Sequence, residues 1–240
     1  IHHLSETLTM TSFQETTFLA PGKLVLAGEY AVIDGASALV MAIDRGVGCV
    51  KSEGSGISTP SGDVRFVFPA IKDLLQSHHF QFFDWNPVTQ IPSNKKPGFG
   101  GSAAACVASC AAAEISLNTA YEIHKSVQGS GSGIDIAAAI HGGVIRFKQT
   151  KLLPQIERVD LLKDHNPIII WSGEAAKTGP RVEQYLSWNK RSAFVHQTEK
   201  LTEQFLDDPI CTIRQLHKLL CAMAKEAGIR DMTQKMLDIV

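Results

Sequence analysis

"KPGFGGSAAACVASCAAAEI", running from Lys96 to Ile115, is the stretch on which the reading of this chain turns. Gly98, Gly100 and Gly101 fall within four residues, and Ser102 leads into an alanine-rich run. The run predicts a helix over Ser102 to Asn118, apolar on nearly every face and therefore buried. Glycines ahead of a helix let the backbone approach a ligand closely, because no Cβ intervenes. The helix behind them points its unpaired N–H groups and the positive end of its dipole at the loop. Together these suit an anion such as phosphate. Ser102, at the junction, can cap the helix or offer its hydroxyl to a metal ion. No Lys-Ser/Thr follows the last glycine, so this is not a Walker A loop. The glycine spacing also excludes the dinucleotide-binding fingerprint, and with it a dinucleotide-dependent oxidoreductase. From this stretch alone, a glycine-rich turn with no ligand remains the alternative.

The rest of the chain sets the frame. Its 240 residues suffice for one large domain or two modest ones. A net charge of −1 supplies no basic field for nucleic acid. No apolar run approaches the roughly 20 residues of a membrane span. The five cysteines show no C-x-x-C spacing, and Cys106 and Cys110 read as small buried helix residues in a reducing, cytoplasmic protein. His2 and His3 ahead of Met10 read as a tag remnant, so residues 1–12 are set outside the fold.

Short apolar segments at Thr17 to Ala20 and Lys23 to Ala27 predict two strands around a Pro21–Gly22 turn. Ala38 to Ile43 and Gly46 to Val50 predict a further strand pair. Gly54 to Asp63 reads as a polar turn, "VRFVF" after it as a strand, and Ile71 to Gln76 as a short helix. An alanine-rich helix ends at Gly142–Gly143, followed by the strand "VIRF". Pro167 to Trp171, "PIIIW", predicts a strand covered on both faces. The last third is helical, with Phe194, Leu201 and Phe205 on one face, Ile213, Leu216, Leu220 and Met223 on another, and Gly228 as a stop. Strands first, with helices interleaved and then dominant, indicate an α+β fold. A domain boundary is expected between Leu153 and Asn166.

Two more segments complete a pattern: "PGKLVLAGEYAVIDG" (Pro21 to Gly35) and "QGSGSGIDIAAAIHGG" (Gln128 to Gly143). With the glycine-rich loop, the chain resembles the GHMP kinases, which include galactokinase, homoserine kinase, mevalonate kinase and phosphomevalonate kinase. The first segment matches that family's P-G-K-h-h-h-x-G-E-[HY]-A-V motif throughout. Pro97-Gly98-Phe99-Gly100-Gly101-Ser102-Ala103-Ala104 matches the second, with Gly101 in place of the first serine. Ser132-Gly133-Ile134-Asp135 matches the catalytic S-G-x-D. The likeness is good from Phe18 to Trp171 and loose beyond. Nothing after Gly228 resembles the family's third motif, a glycine-rich loop beside the phosphates. The resemblance implies a ribosomal-protein-S5-like N-terminal domain with the nucleotide cleft, here residues 13–160. It also implies a ferredoxin-like C-terminal domain, here residues 161–240 and incomplete.

The same resemblance assigns roles. Pro97, Gly98, Phe99, Gly100, Gly101, Ser102 and Ala103 would hold the ATP phosphates, with Ser102 and Glu29 toward Mg²⁺. Asp135 would stand near the attacking hydroxyl as base or orienting carboxylate. Its alternative is an N-cap for "IAAAIHG". Lys23 would be its counter-charge and lower the pKa of the acceptor hydroxyl, or else be a solvated strand-end lysine. Glu29, Tyr30, Ser132 and Gly133 would line the acceptor pocket. A structural salt bridge for Glu29 and plain packing for Tyr30 are the alternatives. Lys177 and Arg181, in the segment Trp171 to Tyr185, could face an anionic acceptor. His124 lies eleven residues before Asp135, where some mevalonate kinases carry a metal-binding glutamate; a histidine is a poor Mg²⁺ ligand, so it is left out of the metal set.

Gly28-Glu29-Tyr30, the form of "QGSGSGIDIAAA" and Trp171-Ser172-Gly173 all lie nearer the phosphomevalonate kinases than the mevalonate kinases. The expectation is therefore an ATP- and Mg²⁺-dependent kinase of isoprenoid precursor synthesis, converting 5-phosphomevalonate to the 5-diphosphate. Mevalonate or a sugar is the alternative acceptor. It would be a cytoplasmic monomer or homodimer without nucleic-acid or membrane partners. A non-catalytic nucleotide- or metabolite-binding homologue is the rival from another class.

Overall fold

In the computed structural model the described residues are 15–86, 97–129, 131–151, 153–160, 167–171 and 178–230. Two long strands form the spine: β1 (Thr16–Ala27) and β2 (Ala38–Glu53), antiparallel from Thr16 opposite Lys51 to Ala27 opposite Leu39. The Pro21–Gly22 pair does not split β1 into two strands. It shifts the register between Pro21 and Lys23 instead. Proline has no N–H for the ladder, and a Cβ on Gly22 would lie 2.5 Å from the Phe99 carbonyl oxygen. Ala38 to Ile43 and Gly46 to Val50 are likewise one strand rather than a pair. Gly46 and Gly48 leave room there for the Ala20 carbonyl and the Phe83 ring.

The other strands add to β2. β3 (Gly56–Ser58), β4 (His78–Trp85), β5 (Val144–Lys148) and β6 (Gln155–Arg158) give the order β3-β4-β2-β5-β6, with β1 along the other edge of β2. β4 covers the second half of β2 and β5 the first half. The alternation of buried Phe80 and Phe82 in "HHFQFFDW" is the signal for β4. "VRFVF" is not a strand: it turns into the short helix α1 (Phe68–Ile71), with Pro69 in its first turn. Asp63 takes the Arg65 N–H there, and Val67 plugs the core. The expected helix at Ile71 to Gln76 is this helix and a 3₁₀ turn, Lys72–Leu74.

α2 (Gly101–Ala112), α3 (Thr119–Gln128) and α4 (Ile134–His141) cover one face of the sheet. Cys106 and Cys110 are free and buried in α2, where only small side chains fit. α5 (Thr178–Ser187), α6 (Arg191–Gln204) and α7 (Pro209–Ala227) form the helical part. Alternation along β2 separates two cores: Ala38 and Val40 face α4, while Leu39 meets Phe205 and Leu216. Phe194, Phe205, Leu216 and Met223 are buried as expected, and Gly228 ends α7 in a left-handed conformation. Ile213 is an exception, 49 % exposed. Pro167 to Trp171 departs most from expectation. It pairs with no described strand, and Ile168 is 88 % exposed. An apolar run becomes a strand only beside a partner that takes its backbone hydrogen bonds. None of the described helices is long and apolar enough to cross a membrane.

Glu199 fastens α6 to the sheet. It accepts the Ser37 backbone N–H and hydroxyl, and Lys148 Nζ lies 3.0 Å from it. Burial opposes its ionisation, but the Ser37 N–H, Lys148 and the Ser37 hydroxyl outweigh burial and hold its carboxyl below the usual value. The stabilisation is therefore complete above the unfolded-state value of about 4.3 and is lost as pH falls through the lower folded-state value. Denaturant titrations from pH 7 to pH 3 should show a steeper loss of stability in the unaltered chain than in Glu199→Gln. Parallel curves would deny Glu199 this role.

Candidate active site

The site is assembled where β1 passes the N-termini of α2 and α4. Gly98 and Gly100 adopt positive φ, +85° and +78°, and α2 starts at Gly101. The register shift at Gly22 brings the loop against β1. Phe99 turns its carbonyl to the Lys23 N–H at 2.9 Å, and Arg45 stands 5.9 Å over the Phe99 ring. With that carbonyl fixed on β1, the start of α2 is left open. The Ala103 and Ala104 N–H groups both turn back to the Gly100 carbonyl. The Gly101 and Ser102 N–H groups donate to no acceptor among the described residues.

Lys23 and Asp135 meet at the same point. Lys23 Nζ lies 3.1 Å from Asp135 Oδ1, with the two side chains 21 % and 33 % exposed. A Cβ on Gly100 would lie 3.3 Å from Lys23 Cγ and 3.6 Å from Asp135 Oδ2. Glycine loop, lysine and carboxylate are thus in mutual contact. Asp135 sits in the first turn of α4 but does not cap it. The cap is Gly133, at φ +81°, and the Ile134 N–H reaches Ser132 Oγ at 3.4 Å. Gly133 also carries the Tyr121 ring, 3.0 Å from where its Cβ would be. Burial pushes the Tyr121 hydroxyl up to about 12.

Glu29 follows Gly28, whose φ of +88° and closeness to the Ser37 carbonyl admit only glycine. Its side chain opens to solvent in the cleft yet is ringed by protein atoms. That environment raises its carboxyl pKa, against the pull of Lys23 and then Arg181. Lys23, which pairs with Asp135, is thus also the cation that acts most strongly on Glu29. A 210 Å³ cavity continues from Glu29 between β1 and α7, lined by Val25, Leu216 and His217 among others. Tyr30 has an unusual φ of +61° and packs on Tyr185, ring centroids 5.4 Å apart. Lys177 and the Trp171-Ser172-Gly173 cue, beyond Trp171, lie outside the described residues.

Ser102 does not cap α2; the cap is Gly100, and no side chain bonds there. Its hydroxyl instead meets His124 Nε2 at 3.2 Å. His124 stands outside the metal set as a poor Mg²⁺ ligand; its place beside Ser102 comes from the packing of α3 on α2, which no local spacing encodes. His124 is buried, stacked on Phe66 with centroids 5.1 Å apart. Burial lowers its pKa, and the Asp135 charge opposes that.

No family model matches the chain. A curated phosphomevalonate kinase of Saccharolobus solfataricus is 26 % identical over 199 residues, 70 % of this chain and 60 % of the relative. A mevalonate kinase of Methanothermobacter thermautotrophicus is 29 % identical over 185 residues, 66 % of this chain and 58 % of the relative. The chain thus spans about three fifths of the length of each. Among solved structures, the Streptococcus pneumoniae phosphomevalonate kinase, in complex with phosphomevalonate and AMPPNP, superposes with a TM-score of 0.64. It is 16 % identical, over 88 % of this chain and 81 % of that one. The fold is α+β and is the one found in solved mevalonate and phosphomevalonate kinases of the GHMP type, and in sequence the chain is similar to proteins named phosphomevalonate kinase and mevalonate kinase.

Gly100 and Gly101 should behave oppositely on substitution. Gly100→Ala forces a side chain into left-handed backbone against Lys23 and is expected to cost about 1–2 kcal/mol. Gly101→Ala has open space and a helical backbone, and should stabilise by up to about 1 kcal/mol. Chemical denaturation of both variants measures this; equal effects would contradict the loop geometry.

Proposed function

We propose that this chain carries the catalytic site of an ATP-dependent small-molecule kinase, with 5-phosphomevalonate as acceptor and the 5-diphosphate as product. The observation that supports it best is the contact of Lys23 and Asp135 beneath Gly100, at the open N-terminus of α2. Phosphoryl transfer needs positioning and neutralised charge more than covalent help. The loop from Pro97 to Ala103 supplies backbone donors for the nucleotide phosphates. Lys23 bridges the phosphate side and Asp135. Asp135 takes the proton from a hydroxyl acceptor, or orients an acceptor phosphate that is already largely ionised at neutral pH, its second pKa being about 6.

The donor set fits Mg²⁺. Hydroxyl and carboxylate oxygens are the hard ligands it takes, and one or two of them suffice when phosphates and water complete its shell. Ser102 and Glu29 would hold the ion, which when bound neutralises charge on the phosphates. Arg181, already within the field of Glu29, supplies one cation for a phosphorylated acceptor, and Lys177 a second. Tyr30, Ser132 and Gly133 complete the acceptor side. Residues 13–160 form the nucleotide-binding domain in this reading, and residues 161–240 belong to the second. A cytoplasmic enzyme, monomeric or homodimeric, fits the small-molecule chemistry.

Mevalonate is the second reading, because a curated relative of similar identity acts under that name. Steady-state assays of the purified chain with ATP–Mg²⁺ and each acceptor separate the two. The phosphorylated acceptor should show the higher kcat/KM, and a higher value for mevalonate would overturn that assignment. Nucleotide binding with no acceptor-dependent ADP formation would indicate a non-catalytic homologue.

Asp135→Asn should leave nucleotide binding intact. It should lower kcat by about 10²-fold or more for a hydroxyl acceptor, the scale of lost proton transfer, and by less for a phosphate acceptor. Wild-type turnover of both would remove Asp135 from the mechanism. Arg181→Ala should raise KM for the phosphorylated acceptor and leave KM for ATP unchanged.

A further inference from the structure

We propose that Tyr185 is a positioning residue for the acceptor: its hydroxyl on Asp34 and its ring on Tyr30 join α5 to the turn that follows Glu29, and so fix where Arg181, one helical turn earlier on α5, stands on the acceptor side. The inference rests on the kinase reading above and extends it to a fully buried residue. The Tyr185 phenol donates to Asp34 Oδ2 at 2.7 Å, and the Arg191 Nε–H donates to the same oxygen at 3.1 Å. A phenol proton facing a carboxylate leaves one direction for the bond. The Tyr185 ring lies on Tyr30, 5.4 Å between centroids, and meets Phe194 edge-on at 5.9 Å. Arg191 also stands over the ring, 5.8 Å from its centroid.

Phenylalanine would fill the same space with no polar atom to satisfy. A buried phenol is unfavourable unless its hydroxyl finds a partner. Here the partner lies 151 residues away in sequence, on the 3₁₀ turn Ala31–Asp34. That turn begins directly after Tyr30, whose φ is +61°. The bond therefore links two segments that carry acceptor-side residues, Glu29 and Tyr30 before the turn and Arg181 on α5. Residues four apart on a helix lie on one face, so Tyr185 and Arg181 share a face of α5. Arg181 is, after Lys23, a cation that acts on Glu29. Between Gly179 and Ser187 only Val182 and Tyr185 are buried, which makes Tyr185 the main anchor of this helix. A binding group must be held within about 0.5 Å by neighbours that are themselves locked, and a packed, hydrogen-bonded tyrosine does this for Arg181. Gln184 ties α5 separately to the end of α7, its Nε2 donating to the Gly228 carbonyl at 3.1 Å, so the helix keeps that tie when the Tyr185 hydroxyl is removed.

The test uses the full chain with ATP–Mg²⁺ and 5-phosphomevalonate, and the variants Tyr185→Phe, Asp34→Ala, Asp34→Asn and Arg181→Ala, each checked for folding by circular dichroism. Tyr185→Phe keeps the ring and removes only the hydroxyl. It should raise KM for the phosphorylated acceptor by up to about tenfold, the scale of one lost hydrogen bond, while KM for ATP and kcat stay nearly constant. Asp34→Ala should reproduce that rise. Asp34→Asn keeps an oxygen for the phenol and should recover most of the affinity, which separates the hydrogen bond from the ion pair with Arg191. In the Arg181→Ala background Tyr185→Phe should add nothing to the acceptor KM, because the two residues act as one unit. Should Tyr185→Phe not fold, the Asp34→Ala and Asp34→Asn pair reads the same bond. An unchanged acceptor KM in the folded variants, an equal rise in both KM values, or a full further rise in the Arg181→Ala background would overturn the inference while leaving the kinase reading in place. Failure of the unaltered chain to form ADP with 5-phosphomevalonate would overturn the acceptor reading and this inference with it.

Discussion

The contact of Lys23 with Asp135 beneath Gly100 is the constraint on which the site depends. Lys23 arrives on a strand, Asp135 on the first turn of α4, and Gly100 at the head of α2. The ion pair is partly exposed, and such pairs contribute only about 0–1 kcal/mol to stability. Its importance is therefore geometric. A Cβ at residue 100 would press on Lys23 Cγ at 3.3 Å, and the φ of +78° already favours glycine, which ties the loop's backbone to the position of the pair.

The register shift at Pro21–Gly22 makes that contact possible. A regular strand would keep the Lys23 N–H within the sheet's own pattern. The irregularity lets it bind the Phe99 carbonyl, and the absence of a Cβ at Gly22 lets the loop come that close. Irregular strands near a functional centre re-aim side chains in this way. The long β2 then carries the result outward. Its alternating residues hold α4 on one face and the α6–α7 pair on the other, so one strand seats both helical layers.

Polar contacts across that strand tie the helical part to the rest. Glu199 on α6 reaches Ser37 and Lys148, while Arg191 and Tyr185 both bond Asp34 in the turn after Tyr30. The turn that follows Glu29 and Tyr30 is thereby fastened to α5 and α6. Glu29 remains within the field of Lys23 and, next, of Arg181.

The amino-acid sequence by itself determined the α+β class, the buried alanine-rich helix, the glycine loop before it and the identity of the motif residues. Those features are local: glycine spacing, alanine runs and apolar periodicity act within a few residues. It also carried the alternation of Phe80 and Phe82, in a segment to which the sequence reading assigns no strand. What it could not determine depends on contacts between distant residues. Pro21–Gly22 looked like a turn, but β2 pairs on both sides of it and keeps it in the sheet. "VRFVF" and "PIIIW" have strand composition, yet one is folded into a turn by Asp63 and Pro69 and the other has no partner strand among the described residues. Capping was the alternative reading for Asp135 and one of two roles open to Ser102, and glycines hold both cap positions. His124 could be connected to Ser102 only by the packing of α3 against α2, because a hydrogen bond between residues 22 apart is decided by tertiary structure and leaves no pattern in the sequence.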